Sequence, residues 1–197
     1  TPQFQQLMQS IGEYGDMSQL TDILTQVDEG SPKCIEEWLN MFVNLADALP
    51  ASIIIADMTI ASAPMVFVNQ EFTRCTGYSK EEALGRNCRI LQSKGTERDV
   101  VTYMRSCISR GQGCIVSITN FKRNGDPFNN LLAFKPFYDC EGIYHYMIAF
   151  SLEFKDDPSF KNRLVALDKM LELIPMQSYL PSNATCRFYG SLSVRLT

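Results

Sequence analysis

Apolar residues recur along this chain at two different periods, and the changes of period divide it. Between residues 4 and 29, Leu7, Met8, Ile11, Leu20, Ile23, Leu24 and Val27 fall at helical spacing, interrupted by Gly12 and Gly15, which predicts two short helices. A firmer helix is predicted from Ser31 as N-cap and Pro32 as first helical residue to Leu49. Ile35, Trp38, Leu39, Phe42, Leu45, Ala46 and Leu49 lie on one side of it, and Pro50 is its stop. From Ala51 the period drops to two: SIIIAD and PMVFVN are short β-branched runs around a small-residue turn, the pattern of a hairpin. Helical spacing returns from Asn69 to Gly77, then in SKEEALG with its Ser79/Glu82 capping box. It returns again from Thr96 to Arg110, where Val100, Val101, Met104 and Ile108 share a face. Alternation resumes after Gly113, with turns at Asn124-Gly125 and at Asp139 to Gly142, so three more strands are predicted as a meander.

Two strands, short helices, one longer helix and three strands make an α+β fold with a five-stranded antiparallel sheet. One sheet face can pack flanking helices while the other shelters a ligand beneath the middle helices. The division expected is an N-terminal helical extension over 1–50, a core domain over 51–154, and a C-terminal helix and tail over 155–197. In that last part Asp157 is the expected N-cap, Pro158 the first helical residue and Pro175 the stop. Phe160, Leu164, Leu167, Leu171 and Ile174 form a heptad-like stripe, suited either to core packing or to a partner helix.

Composition narrows the function. Among 197 residues, 45% are apolar and 20% charged, a globular balance that excludes a disordered chain. A net charge of −4 offers no basic face for phosphates, so direct nucleic-acid binding is not expected. The seven cysteines (34, 75, 88, 107, 114, 140 and 186) are scattered, with no CxxC pair and a single histidine, His145. Neither a disulfide framework nor a zinc site follows. No apolar run reaches the length of a membrane span or signal core, which together with the thiols suggests a cytoplasmic or nuclear setting. The chain begins at Thr1 and is expected to be cut from something longer, so any output module lies outside it.

One stretch carries chemistry. GRNCRILQ, Gly85 to Gln92, sets Cys88 among two amides and two guanidiniums. A free cysteine is most often a small buried hydrophobe. Its neighbours make that reading worth testing, since arginine forks can match phosphate oxygens and amides can pair with groups that carry both donors and acceptors.

With ITNFKRNGDPFNN downstream, this stretch resembles the flavin-binding signature of light-oxygen-voltage (LOV) domains, a branch of the PAS superfamily, where the usual form is GRNCRFLQ. The resemblance runs without a gap from Ser52 to Glu153, in the manner of a phototropin domain, and includes an arginine in the long helix at Arg105. It implies a PAS/LOV fold, a noncovalent flavin (FMN, with FAD or riboflavin as alternatives) and a blue-light-driven, dark-reversible bond from the Cys88 sulfur to flavin carbon C4a. It implies phosphate contacts from Arg89 and Arg105, ribityl and ring-edge contacts from Asn87 and Gln92, and pairing of the pyrimidine end with Asn120 and Asn130. Ile54, Ala56, Leu91, Ile108, Leu132, Phe134 and Ala149 fall on its apolar pocket positions. It further implies a sensory rather than enzymatic module, signalling through flanking helices to an effector domain or protein, with a homodimer through those helices as one arrangement.

Two positions depart from the family pattern. Ile90 replaces the motif phenylalanine, which should alter packing without removing chemistry. Ser151 stands where the family commonly has a glutamine that hydrogen-bonds the ring, so a different readout is expected there. Two alternatives stay open on the residues: a light-insensitive PAS interaction or dimerisation module, and a flavin oxidoreductase, for which no nicotinamide fingerprint or acid–base pair is present.

Overall fold

The computed structural model describes residues 34–153 together with Leu167 and Leu171. Five strands form: β1 (Ser52–Asp57), β2 (Met65–Val68), β3 (Cys114–Phe121), β4 (Pro127–Tyr138) and β5 (Tyr144–Glu153), β-branched residues dominating the first three and aromatic and aliphatic ones the last two. They form one antiparallel sheet in the order β2-β1-β5-β4-β3, with the first hairpin and the later meander joined through the β1–β5 pair. That pairing matches Ser52 with Ser151, Ile54 with Ala149 and Ala56 with Met147. Period two therefore sends these six side chains to one face, and Ile53, Ile55, Ile148 and Phe150 to the other.

The second face is covered by α1 (Ile35–Ala46), whose buried residues include Ile35, Leu39, Phe42, Leu45 and Ala46. Trp38 stacks on Phe42 and on Phe137 of β4, with centroids 5.4 and 4.8 Å apart, and Phe42 meets Phe150 edge-on at 6.3 Å. Leu167 and Leu171 join the same cluster, and Lys135 Nζ donates to the Leu171 carbonyl at 2.7 Å. The helix begins later than its sequence suggests. Cys34 is extended at the N-cap position (φ −147°, ψ 168°), so the first turn starts at Ile35, where Glu36 and Glu37 supply the negative charge that a helix N-terminus favours. Ser31, Pro32, the two short helices expected before them and most of the expected C-terminal helix lie outside the described residues.

The first face carries the remaining helices: α2 (Gln70–Thr76), α3 (Lys80–Ala83), a 3-10 turn over Cys88–Leu91, and α4 (Arg98–Ser109). The starts of α2 and α3 are chemically marked. Asn69 caps α2 by accepting from Phe72 N, and Ser79 with Glu82 closes the expected capping box on α3. Gly77 ends α2 at φ 76°, a left-handed conformation that costs a side-chain-bearing residue more. Gly111, at φ 62°, receives a 2.6 Å hydrogen bond from Tyr138 Oη on its carbonyl; a Cβ there would sit 1.8 Å from that oxygen. Among the described residues no helix is long and apolar enough to cross a membrane, and no cluster could hold a metal ion.

Candidate functional site

Between the first sheet face and the helices lies a cavity that encloses about 600 Å3 of space when its open mouth is included. Its walls are Ile54, Ala56, Leu91, Ile108, Leu132, Phe134 and Ala149, with Met104, Ile118 and Met147, and its polar lining comes from Cys88, Gln92, Asn120 and Asn130. Met104 shares the helical face of Ile108, as its spacing predicts, and the strand period marks the other two wall residues: Ile118 lies two before Asn120 on β3 and Met147 two before Ala149 on β5.

The approach to Cys88 is pinned to the sheet edge. Gly85 N donates to Met65 O at 2.9 Å, and Met65 N donates to Arg86 O at 2.8 Å. Asn87 then caps the 3-10 turn, its Oδ1 accepting from Arg89 N at 3.0 Å and Arg89 Nε at 3.1 Å, while its Nδ2 donates to Ser62 O and Ala63 O at 2.7 and 3.2 Å. Its amide is thus committed to backbone and does not line the cavity. Cys88 is half-buried and lines the cavity. Burial pushes its thiol pKa up, against the opposing pull of the Arg89 guanidinium and a backbone hydrogen bond, so the sulfur keeps its proton at neutral pH.

Arg89 and Arg105 are exposed on the turn and helix that carry lining residues, and neither lines the cavity itself. Gln92 lines it with its side-chain amide unbonded to any described residue. At the polar end, Asn130 Nδ2 donates to Asn120 Oδ1 at 2.8 Å, and Ser151 Oγ donates to Asn130 Oδ1 at 2.7 Å. Ser151 is buried behind Asn130 rather than on the cavity wall. The flank is sealed by Thr96 Oγ1, which donates to Thr119 O at 2.8 Å, and by the Glu97 carboxylate, which accepts from Thr119 N and Oγ1 at 2.8 and 2.7 Å. Those two hydrogen bonds hold the Glu97 carboxyl below its ordinary pKa.

The PAS domain family profile matches residues 50–153, more than half of the chain. The chain belongs to the PAS domain family. Within it, this domain falls on the light-oxygen-voltage branch. A blue-light photoreceptor of Listeria innocua is 34% identical over 119 residues, 60% of this chain and 46% of that protein. A blue-light-activated histidine kinase of Brucella anthropi is 28% identical over 144 residues, 73% of this chain and 29% of the kinase. Among solved structures, the LOV domain from the Erythrobacter litoralis EL346 blue-light activated histidine kinase superposes with a TM-score of 0.53 at 30% identity, covering 55% of this chain and 99% of that one. An RNA-binding light-oxygen-voltage receptor superposes with a TM-score of 0.55 at 28% identity, covering 68% and 36%. The PAS chain spans less than half the length of the two curated relatives.

Proposed function

We propose that this PAS domain is a blue-light sensor module that holds a flavin in the cavity and forms a reversible bond to it through Cys88. The observation that carries the reading is that Cys88 lines an apolar cavity whose polar end is Asn120 and Asn130. The donor set fits a flavin. The walls suit the faces of a flat aromatic ring, and two buried carboxamides suit a pyrimidine edge that alternates donors and acceptors. Asn120 Nδ2 makes no hydrogen bond to a described residue and is available for a carbonyl.

Bound there, the flavin supplies blue-light absorption and an excited ring that reacts at carbon C4a. Cys88 would supply the sulfur for a light-driven bond to the ring, giving up its thiol proton as the bond forms and taking it back when the bond breaks in darkness. A thiol that burial keeps protonated delivers both sulfur and proton, so no thiolate is needed. Arg89 and Arg105 grip the phosphate of FMN at the mouth, since charge-assisted forks suit phosphate oxygens. Gln92 takes the ribityl chain, and Asn87 holds the turn that aims Cys88. Output passes to an effector, through the flanking helices or a homodimer formed by them.

Absorption spectroscopy of the purified chain reconstituted with FMN tests this. A visible band that bleaches in blue light and recovers in darkness is expected, and Cys88→Ala should keep the band but abolish bleaching. A chain that takes up no flavin, or a Cys88→Ala variant that still bleaches, would overturn the reading.

A further inference from the structure

In the sheet order β3 is an edge strand, paired on one side with β4. The backbone groups on its other side have no neighbouring strand, and such groups ordinarily turn to water or to another chain. At Thr119 they do neither. Thr119 N and Oγ1 donate to the Glu97 carboxylate at 2.8 and 2.7 Å, and Thr119 O accepts from Thr96 Oγ1 at 2.8 Å. Two consecutive side chains thus stand in for the missing strand at a single residue, the one before Asn120.

Glu97 occupies the N-cap position of α4, where a polar side chain ordinarily bonds its own helix, yet it makes no such bond there. Its carboxylate is spent on β3 instead. Thr96 is buried, and its hydroxyl also accepts from Ser93 N at 3.1 Å, closing the turn that follows Gln92. Gly95 in that turn lies against Phe121: a Cβ there would come within 2.8 Å of Cζ of the ring. The segment that joins the cavity residue Gln92 to α4 is therefore fastened to β3 on both sides of Asn120, at Thr119 and at Phe121.

Asn120 is the cavity residue that gains from this. It is buried, its Oδ1 accepts from Asn130 Nδ2 at 2.8 Å, and its Nδ2 is left for the cavity. A carboxamide meets a ligand edge in the right geometry when the backbone that carries it is held by surrounding groups. We propose that Thr96 and Glu97 are positioning residues for the cavity's ligand, locking the open edge of β3 so that the Asn120 carboxamide faces the ligand's polar edge. Neither lines the cavity, so both act through Asn120. The flavin as ligand rests on the reading given above, whereas the clamp belongs to the flavin-free fold.

Two double variants of the full chain test the clamp. Thr96→Val with Glu97→Ala removes its three hydrogen bonds. Thr96→Ser with Glu97→Gln keeps them, since serine retains the hydroxyl and glutamine can accept from Thr119 N while donating to Thr119 Oγ1. After loading with FMN and dilution, the first variant should release FMN about tenfold faster, the loss expected from one weakened hydrogen bond, and the second should match the unmodified chain. In an Asn120→Ala background the first pair of changes should add less than about twofold, because nothing is left to position. Unchanged release in the first variant, an undiminished effect without Asn120, or no rescue by the conservative pair would overturn the proposal. Nuclear magnetic resonance of the flavin-free chain reads the clamp without any ligand. The first variant should move the Asn120 side-chain amide signals and speed exchange of the Thr119 amide, and the second should do neither; unmoved Asn120 signals would overturn the clamp. If the first variant does not fold, Glu97→Ala alone, at an exposed position, should show the same signs at smaller size. An unmodified chain that takes up no FMN would overturn the flavin reading instead, and the resonance measurement then decides the clamp by itself.

Discussion

At the scale of single residues, the asparagines have quite different work. Asn69 is fully buried and makes four hydrogen bonds, to Ala46 O, Ala51 O, Ile53 N and Phe72 N. Its amide joins α1, β1 and α2, and no other described side chain reaches all three through backbone. Asn69→Ala strands two donors and two acceptors, and leaving even some of them unsatisfied should cost about 3 kcal/mol. Asn69→Asp retains the acceptor half but sets a carboxylate against two carbonyls, so it should be no better. Urea unfolding measures both, and a loss below about 1 kcal/mol for Asn69→Ala would mean that water replaces the amide. Asn87 could be recognised as part of a motif, but which backbone carbonyls it binds depends on the Ser62–Ala63 turn folding over it.

Among elements, α1 and α3 illustrate different sources of stability. The four-residue α3 depends on its capping box, and Ser79→Ala should cost about 1 kcal/mol. The longer α1 makes no side-chain N-cap hydrogen bond and is held by its apolar face on the sheet. Phe42, buried between Trp38 and Phe150, should cost about 3 kcal/mol on replacement by alanine, because it leaves a cavity under an aromatic stack. Comparing the two unfolding midpoints checks the order; Ser79→Ala as the worse variant would mean that the lid helices, rather than the α1 face, limit stability. Ser-Pro is a strong local start signal, yet the first turn of α1 begins at Ile35. The extended backbone of Cys34 is a tertiary outcome that local chemistry does not contain.

For the molecule as a whole, the turn between β4 and β5 adds a pH dependence. Burial alone would raise the Asp139 pKa, but the Ile143 and Glu141 N–H groups and the His145 ring bind its carboxylate and hold it below the usual aspartate range. A carboxyl whose folded pKa lies below its unfolded value stabilises the fold above the unfolded value, near pH 4, and that contribution is lost as pH falls through the folded value. Urea midpoints measured from pH 7 down to pH 3 should therefore fall below about pH 4, and Asp139→Asn should flatten that limb. An equal fall in the variant would assign acid sensitivity to other carboxylates, Glu97 first among them.

Strand alternation, the capping box, the turn glycines and the GRNCRILQ motif were all legible in the order of residues, because each depends on neighbours within a few positions. So were the helical and strand periods that allot Ile54, Leu132 and Phe134 to one side of their elements. Only tertiary structure decided what the polar groups do. Glu97 reads as an acidic residue at a helix start until β3 sets Thr119 against its carboxylate, and Ser151 reads as a lost amide until β4 brings Asn130 to its hydroxyl. Hydrogen-bond direction is a property of pairs, and these partners lie 22 and 21 positions apart. Side-chain type is local, whereas the donor or acceptor that each side chain finally meets is set by register and packing between strands distant in the chain.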